Sequence, residues 1–275
     1  MKLQPSIDEL SELTREWTGD RFEDGRPRVP DDVLAELREA TTEHVWAVLF
    51  KAGYERQFEG HWHETNPGKH VVGRAVTAQF VPHRPDLDAL VIDSANAEGR
   101  PTQANNQNWL VVEALGKDDV MVVDIFGKIE EGTVIGDNLG TALASRTGTG
   151  AVIDGGIRDL HGLSRLTDVN IFHRDVSPTP IRKVTLAGMN IPVRIGLATV
   201  LPGDVVVGTP TGVIFIPPHL AAEVAAASVD SRGRDVFGKR RLAERRYSSS
   251  QIDVPVWHAD IEADYRSWLD TSESA

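Results

Sequence analysis

Gly136-Asp137-Asn138-Leu139-Gly140, a helical run from Thr141 to Arg146, and then Gly150-Ala151-Val152-Ile153-Asp154-Gly155-Gly156-Ile157-Arg158-Asp159 decide how this chain folds. Gly150 to Asp154 reads as a strand. Before it, Val120-Met121-Val122-Val123-Asp124-Ile125 is a short, largely β-branched apolar run, the pattern of a strand buried on both faces. Two such strands with a helix between them predict a layered α/β fold. Asp137 follows a glycine and precedes the helix, so the N–H groups of Asn138, Leu139 and Gly140 are read as unpaired helix-start donors. Such a turn attracts carboxylates and phosphates. Twenty residues separate Asp137 from Arg158. A helix of about two or three turns plus a strand returns the chain to the same end of the sheet. Asp154-Gly155-Gly156 then forms a turn free of β carbons, with Arg158 and Asp159 at the strand's carboxyl end, where α/β folds usually hold their sites.

This corner combines one guanidinium, two carboxylates and a donor-rich turn. Arg158 can hold a small carboxylate bidentately. Asp159 and Asp137 offer hard oxygen ligands to Mg²⁺ or Mn²⁺. A divalent ion beside a bound 2-oxo acid can polarise the keto oxygen and stabilise an enolate, which permits cleavage of a neighbouring C–C bond. The plainer alternative is an Arg–Asp ion pair closing a loop, with the glycines serving turns only.

The rest of the chain bounds this reading. It has 275 residues, no cysteine, 29 Lys plus Arg against 41 Asp plus Glu, and a net charge of −12. Zero cysteine excludes disulfide scaffolds, thiol proteases and Cys-ligated clusters. The acidic balance argues against nucleic-acid partners. No apolar run is long enough to span a membrane, and the first ten residues lack the apolar core of a signal peptide, so a cytoplasmic protein is expected. Residues 1–30 read as an N-terminal extension with a short helix around Ile7 to Trp17. Asp31 or Asp32 is expected to cap one helix running to about Ala52, striped by Val33, Leu34, Leu37, Ala40, Val45, Val48 and Leu49 and stopped by Gly53. Val71 to Phe80 reads as a strand and Asn105 to Leu115 as a helix. Later strands are expected at Val169–Phe172, Val184–Leu186, Ile191–Val193, Val205–Val207 and Val213–Pro217. A helix follows from His219 to about Val229, and the chain changes character after Gly233. The main domain is therefore drawn at 31–232 and a C-terminal extension at 233–275, with Ser248-Ser249-Ser250 as a hinge.

Other signals compete. His61 and His63 with His70 can make a metal site or a solvated or interface loop. His173 can serve as an acid or base, or simply pack. Lys128, Glu130 and Glu131 can complete the site or form a charged surface loop. Lys183 raises a Schiff-base mechanism, on one isolated lysine. Gly148-Thr149-Gly150 precedes a strand, the wrong order for a dinucleotide fingerprint. The run Lys239, Arg240, Arg241, Arg245 and Arg246 can contact RNA or an acidic partner, or be a solvated helix face.

The Asp137…Arg158-Asp159 spacing resembles the signature of the family that joins the regulator of ribonuclease activity A to the 4-hydroxy-4-methyl-2-oxoglutarate aldolases. Gly73-Arg74-Ala75-Val76-Thr77, Val122-Val123-Asp124, Phe172 with Arg174 and Ser177-Pro178, and Pro202-Gly203-Asp204-Val205-Val206-Val207-Gly208 agree in order, over roughly residues 35–230. The resemblance implies a swivelling β/β/α sandwich with helical N- and C-terminal extensions, assembled as a homotrimer or hexamer, with sites between subunits. It implies that Asp159 binds Mg²⁺ or Mn²⁺ directly, that Asp137 holds it through water, and that Asn138 and Leu139 donate N–H groups to a pyruvate-like substrate held by Arg158. Arg158 and Asp137 are then the catalytic pair. The implied reaction is retro-aldol cleavage of a 4-hydroxy-2-oxo acid to pyruvate, with oxaloacetate decarboxylation beside it; a water on the metal is expected to move the proton, since the motif holds no histidine. This chain has Gly208-Thr209-Pro210-Thr211-Gly212 where members often carry an acidic turn, and residues 54–70 are an insert. Glu262, Asp260 and Asp253 are candidates for an acidic residue lent by a neighbouring subunit. The family's other member suggests the alternative, a non-catalytic regulator that binds a ribonuclease or RNA helicase.

Overall fold

The computed structural model describes residues 2–100, 102–103 and 106–272. In chain order the elements are α1 (Ile7–Leu13), α2 (Asp31–Leu37), α3 (Thr42–Lys51), β1 (Phe58–Glu59), β2 (His63–Glu64), β3 (Val71–Pro82), α4 (Pro85–Ala97), α5 (Asn108–Glu113), β4 (Asp119–Asp124), α6 (Asp137–Thr147), β5 (Gly150–Ile157), α7 (Leu160–Leu163), β6 (Asn170–Val176), β7 (Val184–Met189), β8 (Val193–Ile195), β9 (Ala198–Val200), β10 (Val205–Thr209), β11 (Gly212–Ile216), α8 (Ala221–Ala243), α9 (Ser249–Ile252) and α10 (Ala259–Ser272). One mixed sheet runs β1-β11-β10-β3-β4-β5-β6-β2, and β7 pairs with the far half of β3. The steps β3-β4, β4-β5 and β5-β6 are parallel and the others antiparallel. A separate hairpin, β8-β9, lies off the sheet.

Side-chain alternation builds the layers. On β4, Met121 and Val123 enter the core shared with α4 to α7, while Val120 and Val122 enter the core beneath β8-β9. On β10, Val205 and Val207 face α2, α3 and α8, and Val206 faces the hairpin side. Hairpin, sheet and helices thus stack as a β/β/α arrangement, with helical segments at both ends of the chain. The N-terminal extension is woven in. Leu3 is buried in the central core, and the Arg26 guanidinium meets Asp119 at 2.9 and 3.2 Å at the start of β4.

Several expected elements change. The single helix 31–52 is two helices, because Thr41 caps α3 by accepting the His44 N–H at 3.2 Å. Neither aspartate caps α2: its N-cap is Pro30, and Asp31 pairs with Arg74 instead. The first helix stops at Leu13, short of Trp17. Helix α4, headed by Pro85, was not anticipated. Within the expected 105–115 helix, Asn105 lies outside the described residues and α5 spans Asn108–Glu113. After a 3₁₀ turn at Pro218–Leu220, α8 runs to Ala243 instead of ending near Val229, straight through the boundary drawn at 232/233. Gly233 is tolerated there because the Tyr265 hydroxyl of α10 packs where a β carbon would stand, 2.6 Å from it. Ser248 is the capped start of α9, its hydroxyl and backbone closing a box with Gln251.

Candidate active site

The site grows from the carboxyl ends of β4 and β5. After β4 the chain crosses back over β5: Gly127 N–H donates to Asp154 C=O at 2.9 Å, and Gly156 N–H to Lys128 C=O at 3.0 Å. Residues 133–135 then run beside the end of β5, with Val134 N–H on Gly156 C=O and Arg158 N–H on Ile135 C=O, each at 3.0 Å. Two β carbons would block this crossing. One on Gly156 would sit 2.7 Å from the Ile129 carbonyl oxygen, and one on Gly155 would strike Ile125. The paired glycines therefore let the loop lie on the strand, and the loop delivers Gly136 and Asp137 beside Arg158 and Asp159.

Helix α6 begins at Asp137, not at Thr141, with Gly136 as its extended N-cap. That earlier start narrows the donor set. Gly140 N–H is taken by Gly136 C=O and Asn138 N–H by Asp137 Oδ1, both at 2.8 Å. The Leu139 N–H is left with no acceptor among the described residues. Asp159 has φ 55°, the left-handed conformation that aspartate tolerates better than most residues, and heads the short α7. Its Oδ2 lies 3.4 Å from Arg158 Nε, both side chains about two-fifths exposed. Gly162 of α7 faces the Asp137 side chain, where a β carbon would be 2.7 Å from Asp137 Cβ. Gly136 faces Asp159 Oδ2 and Arg158 Nε in the same way. Glycines thus hold the two carboxylates against one corner.

A cleft of about 490 Å³ opens there. Asn138, Leu139 and Arg158 line it; Asp137 and Asp159 are not among its lining residues. Reading the residues missed Asn108, Trp109, Thr133 and Arg182 in its wall. Asn108 is buried, donates to Val134 C=O at 2.6 Å, and leaves Oδ1 without a partner. Arg182 comes from the segment before β7, docked by its N–H on Glu131 C=O at 2.8 Å. The sequence signals close to it were Ser177-Pro178 and the adjoining Lys183. Among the described residues the cleft lining therefore has two guanidinium-bearing residues and no carboxylate, which suits an anion.

The other candidates lie elsewhere. His63 pairs with His173 across β2 and β6, rings 5.7 Å apart, while His70 Nδ1 contacts Arg38 C=O at 3.0 Å. Among the described residues no three His, Cys, Asp or Glu side chains gather as a metal cage. His173 is 2% exposed, and burial pushes its imidazole down to about 4; it packs and does not line the cleft. Lys128 Nζ donates to Glu130 C=O, and Lys183 pairs with Glu131 at 3.0 Å, holding that carboxyl below its usual range. Glu262 is taken up by Arg234 at 2.8 and 3.2 Å. Much of the basic run is neutralised on the spot: Lys239 by Asp235, Arg240 by Glu244, Arg241 by Asp264 and Glu244, and Arg246 by Asp264.

Asp159 and Asp137 fit a hard divalent ion of the Mg²⁺ type, which takes one or two carboxylates and keeps several waters. Both carboxylates are exposed at this corner.

Fold and cleft together define a mixed α/β protein with an anion-suited site at the carboxyl ends of the parallel strands of a mixed sheet. The chain belongs to the RraA-like family (Aldolase/RraA), whose family model matches residues 34–215. A protein of Halalkalibacterium halodurans provisionally named as a 4-hydroxy-4-methyl-2-oxoglutarate aldolase is 28% identical over 145 residues, 51% of this chain and 68% of its own length. The crystal structure of Streptomyces coelicolor RraAS2, described as an unusual member of the RNase ES inhibitor RraA family, matches with TM-score 0.65 and 26% identity, covering 78% of this chain and 98% of that one. An uncharacterized protein of Pseudomonas syringae pv. tomato shares the fold, with TM-score 0.65 and 21% identity over 86% of this chain and 98% of its own. Among the described residues no helix is long and apolar enough to cross a membrane.

Proposed function

We propose that this chain is a lyase that cleaves a 4-hydroxy-2-oxo acid by a retro-aldol reaction to pyruvate and a carbonyl product, with oxaloacetate decarboxylation as a related activity. The observation that carries it is the meeting of Arg158, the free Leu139 N–H and the α6 start in one cleft, with Asp137 and Asp159 at its edge. Arg158 and the Leu139 N–H hold the 2-oxo acid, and Arg182 supplies charge for a second carboxylate. Asp159 and Asp137 would hold Mg²⁺ or Mn²⁺, which would supply Lewis acidity toward the keto oxygen. The C3–C4 bond breaks, its electron pair stays on C3 as an enolate, and the 4-hydroxyl loses its proton as the new carbonyl forms. A proton returned to C3 completes pyruvate. Among the described residues no His or Lys lines the cleft, so water or an adjoining carboxylate moves these protons. Assembly as a homotrimer or hexamer belongs to the same reading; Phe126 and Leu160, exposed just past β4 and β5, are side chains that an interface on this edge would cover.

The second reading, a non-catalytic regulator that binds a ribonuclease or RNA helicase, is supported by the likeness to RraAS2. Pyruvate release from oxaloacetate and 4-hydroxy-2-oxo acids, with and without Mg²⁺, separates the two. Turnover abolished by Arg158→Ala, Asp159→Ala and EDTA is expected. Turnover untouched by EDTA would remove the metal role. No turnover with any 2-oxo acid, together with capture of an RNA-degradation protein, would favour the regulator.

A further inference from the structure

A second pocket, of about 370 Å³, lies where the N-terminal extension meets the domain and shares no lining residue with the Arg158 cleft. Trp17, Tyr54, Leu201, Pro217 and Pro218 supply apolar and aromatic walls. Its ionisable lining is Asp204, Glu16, Tyr54 and His219, with no Lys or Arg. Trp17, Glu16 and His219 lie outside the family match at 34–215, while Tyr54, Leu201 and Asp204 lie within it.

Asp204 is the informative group. It is 2% exposed, and Oδ2 accepts the Leu201 N–H at 2.8 Å, closing the Pro202-Gly203 turn. That turn needs one neutral acceptor and no charge. Among the described residues no cation pairs with the carboxyl, and burial pushes it up to about 8. A carboxyl held this way, on the wall of a pocket large enough for a small molecule, is neutral near pH 7 and gives up its proton when a positive partner enters beside it. The aromatic faces of Trp17 and Tyr54 attract the same charge. An anion would meet two carboxyl groups and no cation, and a neutral apolar ligand would fill the walls but leave Asp204 unpaired.

We propose that this pocket binds a small organic ammonium ion, its charge paired with Asp204 and its carbon body packed against Trp17 and Tyr54. Benzylammonium is the probe, with benzyl alcohol and benzoate as controls of similar shape, titrated into the full-length protein by calorimetry. Saturable benzylammonium binding, about tenfold or more tighter than benzyl alcohol, is expected, with none for benzoate. Asp204→Asn keeps an acceptor for the Leu201 N–H and removes the group that ionises when the ammonium binds; it should weaken benzylammonium about tenfold or more while the protein still melts cooperatively. Should that variant not fold, Trp17→Ala and Glu16→Gln, on the pocket's rim, are each expected to weaken binding several-fold. Equal binding of benzyl alcohol, unchanged binding in the folded variants, or no saturation up to about 10 mM benzylammonium would overturn the assignment.

Discussion

Gly136→Ala should damage the site and spare the fold. Gly136 has φ −128° and ψ −169°, extended backbone that any residue adopts. Alanine therefore costs no backbone strain, and a stiffer unfolded chain favours the variant by roughly 0.4–1 kcal/mol. Its β carbon, however, would stand 2.5 Å from Asp159 Oδ2, 3.0 Å from Arg158 Nε and 3.1 Å from Arg158 Cγ. Ordinary contact is about 3.5 Å, so the Asp159 carboxylate has to retreat by about 1 Å. Both side chains are flexible and about two-fifths exposed. Swinging them aside costs about 0.5–1.5 kcal/mol, which nearly cancels the gain. The melting temperature should stay within roughly 4 °C of the parent. A misplacement of about 1 Å at the reacting centre costs on the order of a hundredfold in rate. Gly156→Ala is the contrast, since its β carbon meets the backbone carbonyl of Ile129 at 2.7 Å. That backbone cannot swing aside, so both stability and turnover should fall. Thermal melts beside pyruvate release from oxaloacetate with Mg²⁺ read both effects. Parent-like turnover in a folded Gly136→Ala, or a melting loss as large as that of Gly156→Ala, would refute the reasoning.

Two further outcomes follow from buried charges. Asp119→Ala leaves Arg26, 4% exposed, with only Asp24 as a carboxylate partner and should cost about 3 kcal/mol in urea unfolding; a loss under about 1 kcal/mol would mean that this pair does not hold the N-terminal segment. Because His173 stays neutral down to about 4, the unfolded chain binds a proton between pH 6.5 and 4 that the native one does not, so its contribution is lost as pH falls through that window. His173→Phe should lose less stability than the parent between pH 7 and pH 5, and parallel losses would exclude this origin.

The parallel strands and the meeting of Asp137 with Arg158-Asp159 were legible in the residues. β-branched runs such as Val120 to Val123 carry their own burial, and a helix plus a strand can only return the chain to the end of the sheet from which it left. The walls of the cleft were not legible. Arg182, Asn108 and Trp109 come from separate segments whose local sequence says nothing of where they dock. Continuity of α8 was equally hidden, because Gly233 looks like a stop until Tyr265, more than thirty residues later, is packed against it. So too were the fate of Asp31, claimed by Arg74 before it could cap a helix, and the burial of Asp204 in a turn that looked merely structural. Periodicity and turn chemistry are local and can be read along the chain. Desolvation and the pairing of charges depend on distant neighbours, and only the packed structure sets them.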